Sequence, residues 1–374
     1  MTNERSSGIL TIDLDAVAAN WRSLKSRLQA GTLCAAVVKA DGYGLGATRI
    51  AARLYVEGCR DFFVATPDEG ISLRRVLPDG AIYVLAGVDS ATAAALTEHR
   101  LTPVLNHLGQ IEAWRNAAAA AAAGSTLPSV LHLDTGMNRL GLPRDEVARV
   151  ASEAPLLAGL KTRLVMSHLV SSELASDPLN ETQRARFDAS LSALSARLGT
   201  KPASLANSSG IFLGPAFHYA MVRPGVALYG VNPTPNAPNP MMEVLRLAAK
   251  ILQVRRVDRG ETVGYGATHL LARPSRIAVV AAGYADGFLR SASNRASARL
   301  GGLSVPVVGR VSMDLITLDV TDVPETIARP GAFVDLLDGT YNVEHLATDA
   351  GTIPYEILTA LGHRYERRYL GTSP

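Results

Sequence analysis

A lysine that ends an apolar strand is the first candidate for chemistry. Ala35, Ala36, Val37 and Val38 read as a strand buried on both faces, and Lys39 follows directly. Gly42, Gly44 and Gly46 come next, a texture that no helix or strand interior would welcome. A buried lysine can lose its proton and attack a carbonyl, which is the requirement for a Schiff base with an aldehyde cofactor. Other reactive side chains stand at the same kind of place. His132 and Asp134 close an apolar run at 130–133, and His168 follows one at 163–167. Asn207 and Ser208 follow a short run at 204–206, and Arg223 closes another at 221–223. The hydroxyls of Ser208 and Ser209 suit an anion, as does Gly225, whose missing side chain lets backbone N–H groups approach one.

These groups need a scaffold that gathers strand ends. Up to residue 230 the chain alternates short apolar runs with helix-like segments. Strands are expected at 33–38, 62–65, 82–85, 102–105, 130–133, 163–167, 204–206 and 221–223. Helices are expected between them at 47–56, 111–123 (with its alanine run) and 180–198. Eight strands, each followed by a helix, predict an α/β fold of the TIM type, a closed (β/α)8 barrel. Such barrels collect functional groups at the C-terminal ends of the strands and often hold phosphate in the loops after strands seven and eight. Four prolines between Asn232 and Pro240 preclude regular structure and mark the best linker. Beyond it, β-rich runs at 248–257, 276–281, 305–308, 315–320 and 333–337 are separated by glycine and proline turns, with one late helix at 354–361. The domains are therefore expected at 1–240 (barrel) and 241–374 (mostly β, barrel or sandwich).

Bulk properties narrow the function classes. A chain of 374 residues exceeds the usual limit of one core, so two domains are expected. Hydrophobic content of 47% with 19% charge describes an ordinary soluble protein, and a net charge of +3 makes no case for nucleic acid. The densest basic stretch, 363–369, reads as a solvated terminal strand or helix end. Cys34 and Cys59 fit free thiols in a reducing compartment. The first seven residues lack a signal-peptide core, and no apolar stretch approaches the ~20 residues of a membrane span, so a cytoplasmic protein with no membrane partner is expected. The glycines at 42, 44 and 46 do not match a dinucleotide loop. Histidines 99, 107, 218, 269, 345 and 363 show no metal-ligand spacing, so no metal is expected.

The reactive residues lie in strings that, taken in order, resemble the alanine racemases, enzymes that use pyridoxal 5'-phosphate (PLP). They are Lys39-Ala-Asp-Gly-Tyr43, Asp134-Thr-Gly-Met-Asn-Arg139, Ser167-His168, Asn207-Ser208-Ser209 and Met221-Val-Arg223-Pro-Gly225-Val226. Gly264-Tyr265-Gly266, Gly283-Tyr284-Ala-Asp-Gly287 and Ser312-Met313-Asp314 continue the series, which spans roughly residues 9 to 370. The resemblance implies a mostly β second domain, which the extreme N-terminus (residues 1–10) crosses over to join. It implies that Lys39 carries the cofactor and that Tyr43, Ser208, Gly225, Val226 and Tyr355 hold its phosphate. It places Arg223 opposite the pyridine nitrogen, where a guanidinium can only donate, leaves that nitrogen unprotonated and disfavours transamination.

The resemblance further implies racemisation by two bases, Lys39 on one face of the substrate Cα and Tyr265 on the other. An ordinary tyrosine titrates near ~10, so positive neighbours must favour the phenolate, and His168 and Arg223 are the family's candidates. Tyr265 would come from the partner subunit of a head-to-tail homodimer, and Tyr284, Met313 and Asp314 would cross with it. Met313 would give the substrate carboxylate a backbone contact, and Arg139 would bind that carboxylate and the PLP phenolic oxygen. One position departs from the pattern. Many members carry a carbamylated lysine seven residues before that arginine, and this chain has His132 there. A neutral imidazole supplies no matching charge; Asp134 is a possible substitute, although a structural role is expected for it. The activity implied is interconversion of L- and D-alanine, with D-alanine supplied for peptidoglycan. A broader serine/alanine racemase is the close alternative. A decarboxylase of the same scaffold would carry an acid opposite the pyridine nitrogen and a catalytic cysteine in the second domain. Here Arg223 stands in the first place, and no cysteine lies beyond Cys59. A PLP carrier built from the barrel alone would not need the second domain.

Overall fold

The computed structural model describes residues 6–121 and 126–371, which divide into two compact units. The first unit comprises Val17–Gly42 and Gly46–Met242. Its strands are Ala36–Val37, Asp61–Val64, Ala81–Val84, Thr102–Leu105, Leu127–His132, Leu160–Met166 and Ala203–Ser204, parallel and in sequence order. An eighth strand, Met221–Val222, closes the ring. On one side Ala220 N donates to Ala203 O (3.0 Å) and Arg223 N to Ala206 O (2.9 Å). On the other, Ala35 N donates to Val222 O (3.0 Å) and Val37 N to Pro224 O (2.9 Å), while Met221–Val222 pairs in parallel with Leu33–Cys34.

The strands are short and apolar because both faces are covered. Phe62, Phe63, Val64, Ile82, Val84, Val104, Leu105 and Val130 are all fully buried. Helices Ala47–Val56, Pro67–Arg74, Ala93–Glu98, Leu108–Ala120, Arg144–Ser152 and Pro178–Leu198 cover the outside. Thr66 caps Pro67–Arg74 in a reciprocal box with Glu69, and Asp177 caps Pro178–Leu198 through Leu179 N. The alanine run is helical to Ala120, and residues 122 and 123 lie outside the described residues. Buried polar tethers fix the first strand: Trp21 Nε1 donates to Cys34 O (3.1 Å) and Tyr229 Oη to Val37 O (2.9 Å).

The described part of the second unit is residues 6–16, Tyr43–Leu45 and 243–371. Its main sheet sets Gly8–Asp13 between Leu245–Val257, antiparallel, and Glu366–Leu370, parallel. Leu245–Val257 also pairs with Phe333–Leu337 and Ser275–Val280, and bulges at Leu247/Ala248 and Ile251/Gln253 let one long strand serve three partners. Two expectations are corrected here. Two helices, Val343–Ala350 and Pro354–Ala360, stand where one was expected. The basic stretch at 363–369 is not simply solvated. Arg364 forms a two-pronged pair with buried Asp286 (2.6 and 2.7 Å) and a further bond to Asp314 (2.7 Å). Arg367 donates to the carbonyls of Gly362 and Gly44 (3.1 and 2.9 Å). Basic side chains there meet a fixed carboxylate or carbonyl, so the charge is spent inside the unit. No described helix is long and apolar enough to cross a membrane.

Candidate active site

Lys39 opens a left-handed turn, Lys39–Tyr43, at the end of the first barrel strand. Ala40, Asp41 and Gly42 have φ of 51°, 52° and 63°, and Tyr43 follows at 56°. For a non-glycine residue that conformation costs about 1–2 kcal/mol. Local bonds hold the turn: Gly42 N to Val38 O (2.9 Å), Gly46 N to Asp41 O (2.8 Å), Ala47 N to Asp41 Oδ1 (2.9 Å) and Ala40 N to Glu69 Oε1 (2.8 Å). Lys39 itself is half-buried. Burial pushes its ammonium below the ordinary lysine range, the charge of Arg139 adds to the drop, and Glu69 opposes it. An amine so placed is readily made nucleophilic.

Arg223 closes the eighth strand and is only 3% exposed. Its guanidinium donates to Ser204 Oγ, Ser167 O (2.5 Å) and Leu205 O (3.5 Å), all neutral acceptors. It makes no pair with a carboxylate among the described residues. Burial alone lowers its proton affinity to about 9, so it stays charged at neutral pH. A buried cation without a counter-ion is costly and is retained where a donor-only group has work to do.

His132 sits beside it, and its tautomer follows from its neighbours. Asn106 Nδ2 donates to Leu85 O (3.1 Å) and Val104 O (2.9 Å), so Asn106 Oδ1 must accept. His132 Nδ1, 2.7 Å from that oxygen, therefore carries the proton and leaves Nε2 as an acceptor. Desolvation, reinforced by Arg223, pushes His132 down to about 4, so the ring is neutral. His168 is also held well below the ordinary imidazole value, first by desolvation and then by Arg223 and Arg139. In this chain by itself, the His168 ring is therefore set to hydrogen-bond rather than to carry charge. Asp134 is structural, its Oδ1 accepting from Gly136 N, Met137 N and Asn138 N at 2.9, 3.0 and 3.2 Å. That Asx-type loop delivers Arg139 to an exposed position, where it makes no hydrogen bond among the described residues.

Ser208 Oγ accepts from Gly225 N (2.9 Å) and Ala227 N (3.2 Å). Both lone pairs are thereby engaged, and the hydroxyl proton is left to donate. Gly225 thus gives its N–H to Ser208 rather than leaving it open. Val226 N–H, the first of the turn Val226–Tyr229, has no partner among the described residues. One O–H and one N–H, both buried, suit a phosphate oxygen.

The β-rich unit presents the other expected residues. Tyr265 is 73% exposed and lies between Gly264 and Gly266, both at positive φ, so it is not a core tyrosine. Met313 is 53% exposed, so it is not packed into the core. Its carbonyl accepts from Ala285 N (3.0 Å), and Tyr284 N donates to Ser312 O (3.0 Å). Tyr43 and Tyr355 form a tilted ring pair, centroids 6.0 Å apart. Burial, with Tyr355 adding, keeps the Tyr43 phenol protonated.

Asn106, Ser204, Glu69 and the pairing of Arg364 with Asp286 escaped sequence reasoning, and Ser167 entered it only as the neighbour of His168. Only Glu69 carried a signal, the Thr66-x-x-Glu69 spacing of a capping box. A mostly apolar cavity lined by Leu191, Leu194, Leu198, Pro202 and Tyr219 flanks the helix Pro178–Leu198 and contains none of the site groups.

The alanine racemase N-terminal domain family matches residues 12–233, and the alanine racemase C-terminal domain family matches residues 244–369. The chain is 51% identical over 369 residues to an alanine racemase of Rhodospirillum rubrum, covering 98% of this chain and 97% of the relative. It is 52% identical over 358 residues to that of Acidiphilium cryptum, covering 96% and 97%. Among solved structures it is similar to alanine racemase from Bartonella henselae with covalently bound pyridoxal phosphate, at a TM-score of 0.92 and 39% identity, covering 98% of this chain and 100% of that one. The biosynthetic alanine racemase from Pseudomonas aeruginosa gives a TM-score of 0.88 at 32% identity, covering 98% and 100%.

Proposed function

Because this chain belongs to the alanine racemase family, we propose that it is a PLP-dependent isomerase that interconverts L- and D-alanine. The observation that carries this reading is one barrel mouth holding both a half-buried lysine of depressed proton affinity and a buried arginine with no carboxylate. The residues present fit the cofactor: Ser208 O–H and Val226 N–H would hold its phosphate, and Lys39 its aldehyde carbon. When bound, PLP supplies an aldehyde for an amine and a ring that draws electron density from Cα. Arg223 donates and cannot accept, so opposite the ring nitrogen it would leave that nitrogen unprotonated and would disfavour transamination.

Arg139 binds the substrate carboxylate, assisted by the Met313 N–H. Lys39 Nζ takes or returns the proton on one face of Cα, and Tyr265 Oη does so on the other. Tyr265, Tyr284 and Met313 are lent by a second copy of the chain, making the working protein a homodimer. By the resemblance, Tyr43 and Tyr355 would lend their phenols to the phosphate. The enzyme works in the cytoplasm and supplies D-alanine to peptidoglycan. His132 supplies no carbamate charge to Arg139, so the loop that Asp134 holds is what sets where the guanidinium stands.

Incubation with each L-amino acid, following optical rotation and CO2, tests the proposal. Rotation should decay to zero with L-alanine, without gas. CO2 release, or a stable rotation with alanine and decay only with serine, would overturn it.

A further inference from the structure

Glu69 stands one turn into the helix Pro67–Arg74, which follows the second barrel strand. A capping box asks only that its carboxylate reach back to the N-cap backbone. Here the carboxylate does more. Glu69 Oε2 accepts from Ala65 N (2.7 Å) and Thr66 N (3.4 Å), at the end of the second strand. Glu69 Oε1 accepts from Ala40 N (2.8 Å), the peptide N–H immediately after Lys39. One carboxylate thus joins the ends of two neighbouring strands and holds the first residue of the left-handed turn. Bonds from N–H to a charged acceptor are stronger than those to a neutral one, which suits them to holding a strained residue in place.

We propose that Glu69 is a positioning residue for Lys39: it clamps the Ala40 peptide, fixing where the amine points, and supplies the negative charge that faces it. The proposal rests on the reading of Lys39 as the cofactor-bearing base. The groups facing Lys39 come from three other elements. Arg139, from the loop after the fifth strand, opposes its protonation; His168, after the sixth, is neutral; Glu69 is the carboxylate that favours it.

The test uses the holoenzyme and three variants, Glu69→Gln, Glu69→Asp and Thr66→Ala. Glutamine keeps the size but loses the charge and one acceptor oxygen. In Glu69→Gln the pH midpoint of the cofactor's visible absorbance should fall by about half a unit or more. Its kcat should fall about tenfold or more with little change in KM, because the amine is misplaced rather than the substrate. Glu69→Asp, which keeps the charge, should recover the spectral midpoint. Thr66→Ala removes the helix cap through Glu69 N (3.4 Å) without touching Ala40, and should lower the melting temperature while leaving the midpoint in place. An unshifted midpoint in Glu69→Gln, or an equal shift in Thr66→Ala, would overturn the clamp. A wild-type protein that borohydride fails to link to PLP at Lys39 would overturn the underlying reading and the clamp together, whereas normal linkage with an unshifted variant sinks the clamp alone.

Discussion

At the scale of single residues, the barrel mouth is a place where charge is rationed by burial. Arg223 keeps its proton because a guanidinium starts far above neutrality, while His132 and His168 lose theirs because an imidazole starts near it. This has a consequence for stability. The folded pKa of His132 lies at about 4, below its ordinary 6.5, so the unfolded chain binds more protons between those values. Stability attributable to the neutral ring is therefore present above pH 6.5 and is lost as pH falls toward 4, by at most about 3 kcal/mol. His168 adds to the loss in the same direction. Denaturant midpoints measured from pH 7 to 4 should fall accordingly, and His132→Gln, which cannot titrate, should flatten part of that slope. A slope unchanged by the substitution would mean that His132 is not the buried neutral group. Lys39 and Arg223 stood out in sequence by their places at strand ends, but what each would do came only from the resemblance of the strings around them. The pairing of His132 with Asn106 was not legible, since 26 residues separate partners whose contact exists only once the ring has closed.

At the scale of elements, local pattern carried most of the scaffold. The helix Ala47–Val56 and the strands Thr102–Leu105 and Phe333–Leu337 fall where apolar periodicity put them. The helix Val343–Ala350 was missed although its signal was present: Asn342 caps it, and Val343, Leu346, Ala347 and Ala350 are buried on one face. No local pattern records that Gly8–Asp13 pairs with Leu245–Val257 and Glu366–Leu370, because those partners lie far along the chain. The segment bearing Met313 shows how elements hold one another. Gly283 has an extended backbone that any residue adopts, yet a Cβ there would run into the Met313 carbonyl. Gly283→Ala must therefore push apart two segments joined by the Ala285 N–Met313 O bond. It should cost about 1–3 kcal/mol in the melting transition and raise KM for alanine more than it lowers kcat. An unaltered KM would argue that Met313 takes no part in substrate binding.

At the scale of the whole molecule, the proposal divides the chemistry between copies of the chain: Lys39 from one and Tyr265 from the other. The exposure of Tyr265 and Met313 suits residues offered outward rather than packed into their own unit. A complementation experiment tests the division. Lys39→Ala and Tyr265→Phe should each be nearly inactive as purified homodimers. When the two are mixed, dissociated and reassembled, half the dimers should be mixed. In a mixed dimer with shared sites, one site collects both lesions and the other collects none. Racemisation should then return to about a quarter of the wild-type rate, since half the dimers hold one intact site of two. If Tyr265 instead served the Lys39 of its own chain, every site in a mixed dimer would carry one lesion, and mixing would restore nothing. A return of activity that scales with the fraction of mixed dimers, measured by size exclusion of differently tagged chains, fixes the origin of the second base. Activity that stays at the level of the separate variants would place both bases on one chain.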